Sequence, residues 1–267
     1  MRWRQLLQRC HGFARRCLPA LVLGTMLSSP SASLARESST LVAVATNFAP
    51  TAERLLTAFA QVSNAPLRLT SGSSGKLFAQ ITQGAPYDLF LSADAHRPGR
   101  LAQLDLVVPG CRKTYALGTL VLWSLDPALV SRDGRATLRE QKFRRLAIAN
   151  PDLAPYGAAA RDVLTQLQLY QPLTPAIVRG ENVGQAYAMI ASGNAELGFI
   201  AGSALRTRTD GSHWLVPAEL HQPIRQQAVL LRRAEDDSVA RAFFEFLSSD
   251  AALAVIRADG YRLDGER

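Results

Sequence analysis

Apolar residues recur along this chain in two rhythms. Short segments rich in Leu, Ile, Val, Phe and Ala stand at 41–45, 67–70, 88–91, 146–149, 177–179, 197–200 and 228–231. They read as strands, and the run at 41–45, apolar throughout, suits a strand covered on both faces. Between them, apolar positions fall three or four apart, as on one face of a helix. Pro50 and Thr51 open such a stretch, with Leu55, Leu56, Phe59 and Val62 on its inner face. Leu77 and Ile81 mark a second helix, and Leu101, Leu104 and Leu106 a third. Ala160, Val163, Leu164 and Leu167 line another, as do Val183, Ala186, Tyr187 and Ile190. Phe243, Phe244, Phe246 and Leu247 line the next, and a last helix covers about 251–257. Residues 115–123 form one longer apolar stretch.

Strands alternating with helices predict an α/β architecture with mostly parallel sheets, because parallel neighbours need a helical crossover. The chain of 267 residues is long for one core and suits two lobes of about 100 residues each. No Ser/Gly-rich linker divides them. The expected division is lobe I from 41–124 plus 224–267 and lobe II from 125–223, with strands crossing between lobes.

Composition changes this picture only at the N-terminus. The formal charge is +8, but residues 1–35 hold five arginines and no Asp or Glu, so removing them leaves +3. A nucleic-acid partner is not expected on so small an excess. Residues 2–16 are basic, 17–27 apolar, and Ser33-Leu34-Ala35 ends in an A-x-A-like processing site. That layout predicts a cleaved signal peptide over 1–35. Cys10 and Cys17 fall within it, which leaves Cys111 alone and no intramolecular disulfide.

Four strand-to-helix junctions carry the polar residues: Thr46-Asn47, residues 71–75 (Ser71, Gly72, Ser73, Ser74, Gly75), residues 150–157, and Glu181-Asn182-Val183-Gly184. In an open α/β sheet such junctions gather beyond the carboxyl ends of the strands. The first N–H groups of a helix have no intrahelical partner and sit at its positive dipole end, so several together make an anion site. Taken singly, each junction is explained by ordinary N-capping. Catalytic chemistry is poorly supplied. Gly72-Ser73-Ser74-Gly75 lacks G-x-S-x-G spacing, and Gly75-Lys76-Leu77 lacks the Ser or Thr of a P-loop. His96, His213 and His221 have no metal or triad spacing, Lys76 reads as a solvated helix residue, and Asp88 and Asp94 read as turn and cap residues.

From about Leu41 onward the chain resembles the periplasmic molybdate-binding proteins of ABC transporters. The likeness is carried by residues 45–48, 71–75 and 84–94, by Asn150-Pro151 and residues 154–157, by 182–186, and by Leu197-Gly198-Phe199. It implies a two-lobe periplasmic-binding-protein fold of type II, with the ligand in the cleft between lobes. It also implies an oxyanion site of neutral donors: Thr46 and Asn47 from the first loop, Ser74 from the second, Tyr156 and Val183 by backbone N–H. Many relatives add a tyrosine hydroxyl where this chain has Ala201. Thr46 is expected to make up that bond.

The implied function is capture of molybdate, and of tungstate with little discrimination, for delivery to a membrane permease and its ATPase. A periplasmic monomer is expected, with no cofactor, no directly bound metal and no enzymatic activity. The alternatives are a binding protein for sulfate, ferric ion or a small organic acid, a secreted hydrolase, and the effector half of a transcription regulator. The ferric reading lacks clustered tyrosines or carboxylates at the junctions. The hydrolase lacks a nucleophile and base, and the regulator lacks a DNA-binding segment before Leu41.

Overall fold

A computed structural model describes residues 39–63, 65–206 and 208–265. The expected signal peptide lies outside the described residues. The strands are β1 (Thr40–Ala45), β2 (Leu67–Gly72), β3 (Leu89–Ser92), β4 (Val107–Gly118), β5 (Leu120–Ser124), β6 (Leu146–Ala149), β7 (Ile177–Gly180), β8 (Leu197–Ala201), β9 (Ser212–Leu215) and β10 (Ile224–Leu231). The helices are α1 (Ala49–Phe59), α2 (Ser74–Thr82), α3 (His96–Gln103), α4 (Gly134–Glu140), α5 (Pro155–Gln166), α6 (Tyr170–Leu173), α7 (Val183–Ala191), α8 (Ser238–Phe246) and α9 (Asp250–Ala258).

Two five-stranded sheets form, in the orders β2-β1-β3-β10-β4 and β7-β6-β8-β5-β9. Each has helices packed on both faces. In the first lobe, Phe48, Leu55, Phe59 and Phe243 fill one side of the sheet, and Leu77, Ile81 and Leu101 the other. In the second, Val163, Leu164 and Trp214 lie on one side, Trp123 and Ile190 on the other.

The sheets are mixed rather than mostly parallel. β1 runs parallel to β2 and β3, while β10 runs antiparallel to β3 and β4. Likewise β6 is parallel to β7 and β8, while β5 is antiparallel to β8 and β9. Strands that arrive directly from the other lobe need no crossover helix and so enter antiparallel. This also places β5, residues 120–124, in the second sheet and not with the first. The apolar stretch 115–123 hides a change of sheet at Thr119, where β4 ends and β5 begins. The chain returns between β9 and β10, so two connections form the hinge.

Helix ends differ modestly from the pattern. Val62 lies past α1 and is 71% exposed, and Leu104 and Leu106 lie past α3. Asp105, at φ 55°, turns the chain out of that helix. The pattern missed β9, which alternates buried and exposed positions, and α4, whose N-cap is Asp133.

Candidate functional site

The site follows from strand register. β1 and β2 end side by side, with Ala45 paired to Gly72, so the turn at Thr46 and the N-terminus of α2 are neighbours. In the second lobe Ala149 pairs with Gly180, which sets the approach to α5 beside the N-terminus of α7. Four chain reversals therefore meet where the carboxyl ends of the parallel strands of both lobes converge.

They surround a small, partly open pocket whose walls include Thr46, Asn47, Ser73, Ser74, Tyr156, Asn182 and Val183. All five residues singled out in the sequence thus line one space. Capping explains only part of the polar lining. The Ser73 hydroxyl accepts from Lys76 N–H and the Asn182 side-chain Oδ1 from Gln185 N–H, as N-caps of α2 and α7. Ser74 is different: its Oγ accepts from Ala93 N–H at 2.9 Å, leaving its hydrogen available. Thr46 Oγ1 is buried without any partner. The N–H groups of Ser74, Tyr156 and Val183 stand in first turns, and among the described residues no turn or loop carbonyl bonds them. Neither α1 nor α5 has a side-chain cap; both have Pro in the first turn instead.

The lining carries no carboxylate, ammonium or guanidinium. Tyr156 is its only titratable residue, and burial pushes that phenol well above the ordinary tyrosine range. The arrangement is rich in donors and holds no anionic acceptor, which suits an acceptor-only anion. Nearby charges are paired off. Lys76 bridges to Glu181 at 3.1 Å, Arg97 pairs with Asp94, and Asp88 holds Leu41 N–H at 2.7 Å and Arg233.

Asn47 takes a role the sequence did not reveal. Its carboxamide donates to Gln226 Oε1 at 2.8 Å and to Tyr261 Oη at 3.2 Å, which uses both hydrogens. Tyr261 donates back to the Asn47 carbonyl at 2.7 Å, and Ser203 lies 3.0 Å from the same phenol. Burial raises the Tyr261 phenol to about 12, so it stays a neutral donor. Gln226, Tyr261 and Ser203 were missed. The one signal was the polar run Arg225-Gln226-Gln227 ahead of the apolar end of that strand.

The lobes are in contact across the cleft. Gly75 N–H donates to Leu153 O at 2.8 Å, and Arg97 to Asp152 O at 3.1 Å. Arg206 bridges to Asp259 at 2.9 Å, and Asp259 is also held by Arg54 of its own lobe. A Cβ placed on Gly184 would stand 2.5 Å from Thr46 Cγ2. Ala201 lines an adjoining groove that shares Thr46, Asn47 and Val183 with this pocket and also holds Arg54, Arg206 and Asp259.

Comparison with known proteins agrees with this architecture. Residues 40–262 match the family described as "Bacterial extracellular solute-binding protein". The molybdate-binding protein ModA of Rhodobacter capsulatus is 42% identical over 91% of this chain and 93% of its own length. The solved periplasmic molybdate-binding protein of Azotobacter vinelandii superposes with a TM-score of 0.81 at 42% identity, covering 84% of this chain and 99% of that one. The sulfate-binding protein SubI of Mycobacterium tuberculosis, at 16% identity and a TM-score of 0.70 over 85% of this chain and 86% of that one, shares the fold alone. The chain belongs to the bacterial extracellular solute-binding proteins, within the group formed by the ModA molybdate-binding proteins.

Proposed function

We propose that this protein captures molybdate, and tungstate with similar affinity, in the periplasm and presents it to an ABC-type permease driven by its ATPase. The observation that carries this is the pocket at the four helix starts, whose lining holds no charged side chain and whose Thr46 Oγ1 is buried without a partner among the described residues. Thr46 and Ser74 donate by hydroxyl; Asn47, Ser74, Tyr156 and Val183 donate by backbone N–H. The buried orphan at Thr46 costs about 1–3 kcal/mol unless an acceptor arrives, so an oxyanion oxygen relieves it. With Ala201 carrying no hydroxyl, Thr46 supplies the one hydroxyl side chain that lines both the pocket and the adjoining groove.

Molybdate is a tetrahedral dianion without a proton to donate, so donors alone satisfy it. Phosphate retains a proton at neutral pH and would bring it to a wall with no carboxylate. Sulfate is acceptor-only but smaller, and amides fixed at helix ends cannot follow it inward. The protein binds its anion without chemical change and is not an enzyme. It works as a monomer, needs no cofactor and touches the metal only through its oxygens.

Titration calorimetry and tryptophan fluorescence with molybdate, tungstate, sulfate and phosphate test this reading. Molybdate and tungstate are expected to bind at or below micromolar concentration, sulfate and phosphate far more weakly. No heat with molybdate at micromolar protein would overturn it.

A further inference from the structure

Behind the cavity, one buried side chain touches the anion-facing segment of one lobe and lies next to that of the other. Gln226 stands at an irregularity in the β10–β4 ladder, where the register shifts between Gln226 and Gln227 and the side chain is re-aimed. It is 0% exposed. Its Oε1 accepts from Asn47 at 2.8 Å and from Tyr115 Oη at 3.3 Å, which fixes the first loop. Its Nε2 has no partner. Tyr156 belongs to the other lobe, on α5, and its ring reaches under the hinge strand; its Oη is likewise buried and unpartnered. Both atoms crowd one spot. A Cβ on Gly118 would lie 2.2 Å from Tyr156 Oη and 3.1 Å from Gln226 Nε2. Gly118 thus leaves open the socket that the phenol fills.

A buried amide donor and a buried phenol oxygen, neither bonded and both against the same glycine, are a pair one small rotation from satisfaction. We propose that Gln226 is a positioning residue that donates to Tyr156 Oη in the anion-loaded protein, tying the Asn47 loop of one lobe to the Tyr156 helix end of the other. Seating the phenol against Gly118 then brings the Tyr156 N–H to the anion at the same moment that Gln226 holds the Asn47 loop. This rests on the oxyanion reading above and adds to it a link between closure and affinity.

The test is a double-mutant cycle on the full-length mature protein: unmodified, Tyr156→Phe, Gln226→Met and the pair. Molybdate affinity is measured by calorimetry, release by stopped-flow tryptophan fluorescence, and ligand-free melting by circular dichroism. Tyr156→Phe is expected to weaken molybdate about tenfold in the unmodified background, mainly through faster release, and less than twofold beside Gln226→Met. Loss of the Asn47 contact is common to both Gln226→Met arms and cancels. Gly118→Ala, which obstructs the socket without removing either polar group, is expected to weaken binding while the ligand-free melting midpoint holds. A flat cycle, or weakening matched by an equal loss of ligand-free stability, would overturn the link while the molybdate reading stands. Failure of the unmodified protein to bind molybdate would overturn both.

Discussion

Gly184→Ala gives the sharpest check on the closed geometry. Gly184 is the second residue of α7 and does not have a positive φ, so alanine fits its backbone. In the ligand-free protein the exchange is expected to help slightly, since alanine is up to about 1 kcal/mol better than glycine in a helix. The cost arises on closure. The new methyl would meet Thr46 Cγ2 of the opposite lobe at 2.5 Å, about 1 Å inside ordinary carbon–carbon contact. The alanine Cβ is fixed by the backbone, and turning Thr46 about χ1 to move Cγ2 away would carry Oγ1 out of the pocket with it. Overpacking of this kind costs about 1–3 kcal/mol, which weakens molybdate about 5- to 140-fold. Thr46→Ser removes only Cγ2 and keeps Oγ1; the nearest remaining atom of residue 46 is Cβ, at 3.8 Å. The double variant is therefore expected to recover most of the lost affinity. Calorimetry measures the affinities and circular dichroism the ligand-free melting. Unchanged affinity in Gly184→Ala, or no recovery with Thr46→Ser, would refute the claim that these residues meet when the anion is held.

Three further outcomes follow from the same geometry. Ser74→Ala removes a charge-assisted donor and also orphans Ala93 N–H, so calorimetry is expected to show molybdate weakened by about 1.5–3 kcal/mol and melting a lower midpoint. Arg206→Ala breaks the bridge to Asp259 from an arginine side chain that is 43% exposed, so the expected loss of affinity is at most about 1 kcal/mol and shrinks as salt is raised in the titration. Folding stability is expected to fall between about pH 10 and 12, because the Tyr261 phenol is raised to about 12 and ionises in the unfolded chain first. Stability from this group is complete below pH 10, and denaturant titrations with Tyr261→Phe should show a shallower alkaline decline.

Local rhythm made most of the strands and helices legible, because each buries a face that must be apolar at its own period. Pairing direction was not legible. β5 and the 228–231 end of β10 are apolar like any parallel core strand, and only the route between the lobes makes these strands antiparallel. The single residue Thr119 between β4 and β5 leaves no mark in hydropathy. The backbone half of the site was visible as glycines and small polar residues at four helix starts. Its support was not, since Gln226, Tyr261 and Tyr115 come from distant segments and meet Asn47 only in three dimensions. Asn47 shows the difference best. Its position at the first junction was readable, but its carboxamide serves its neighbours.

The neutrality of the cavity follows from what it must discriminate. A mobile lysine or arginine would reach any dianion, whatever its radius, and bring a strong attraction with little regard to size. Amide hydrogens at helix ends are fixed by the strands that precede them, so they serve best an anion whose oxygens lie where they point. The cationic side chains near the cleft are used otherwise. Lys76 follows Ser74 by only two residues, yet its ammonium goes to Glu181 of the other lobe; Arg97 goes to Asp94 and to the Asp152 carbonyl. The Lys76–Glu181 bridge and the Arg97 contact with Asp152 span the two lobes and favour closure, and none of these residues lines the pocket. Exposed pairs of this kind contribute only about 0–1 kcal/mol each, so closure stays easily reversed. On the proposed reading the larger part of the free energy comes from the dipoles around the anion, and it is present only when an anion of the right radius fills the space.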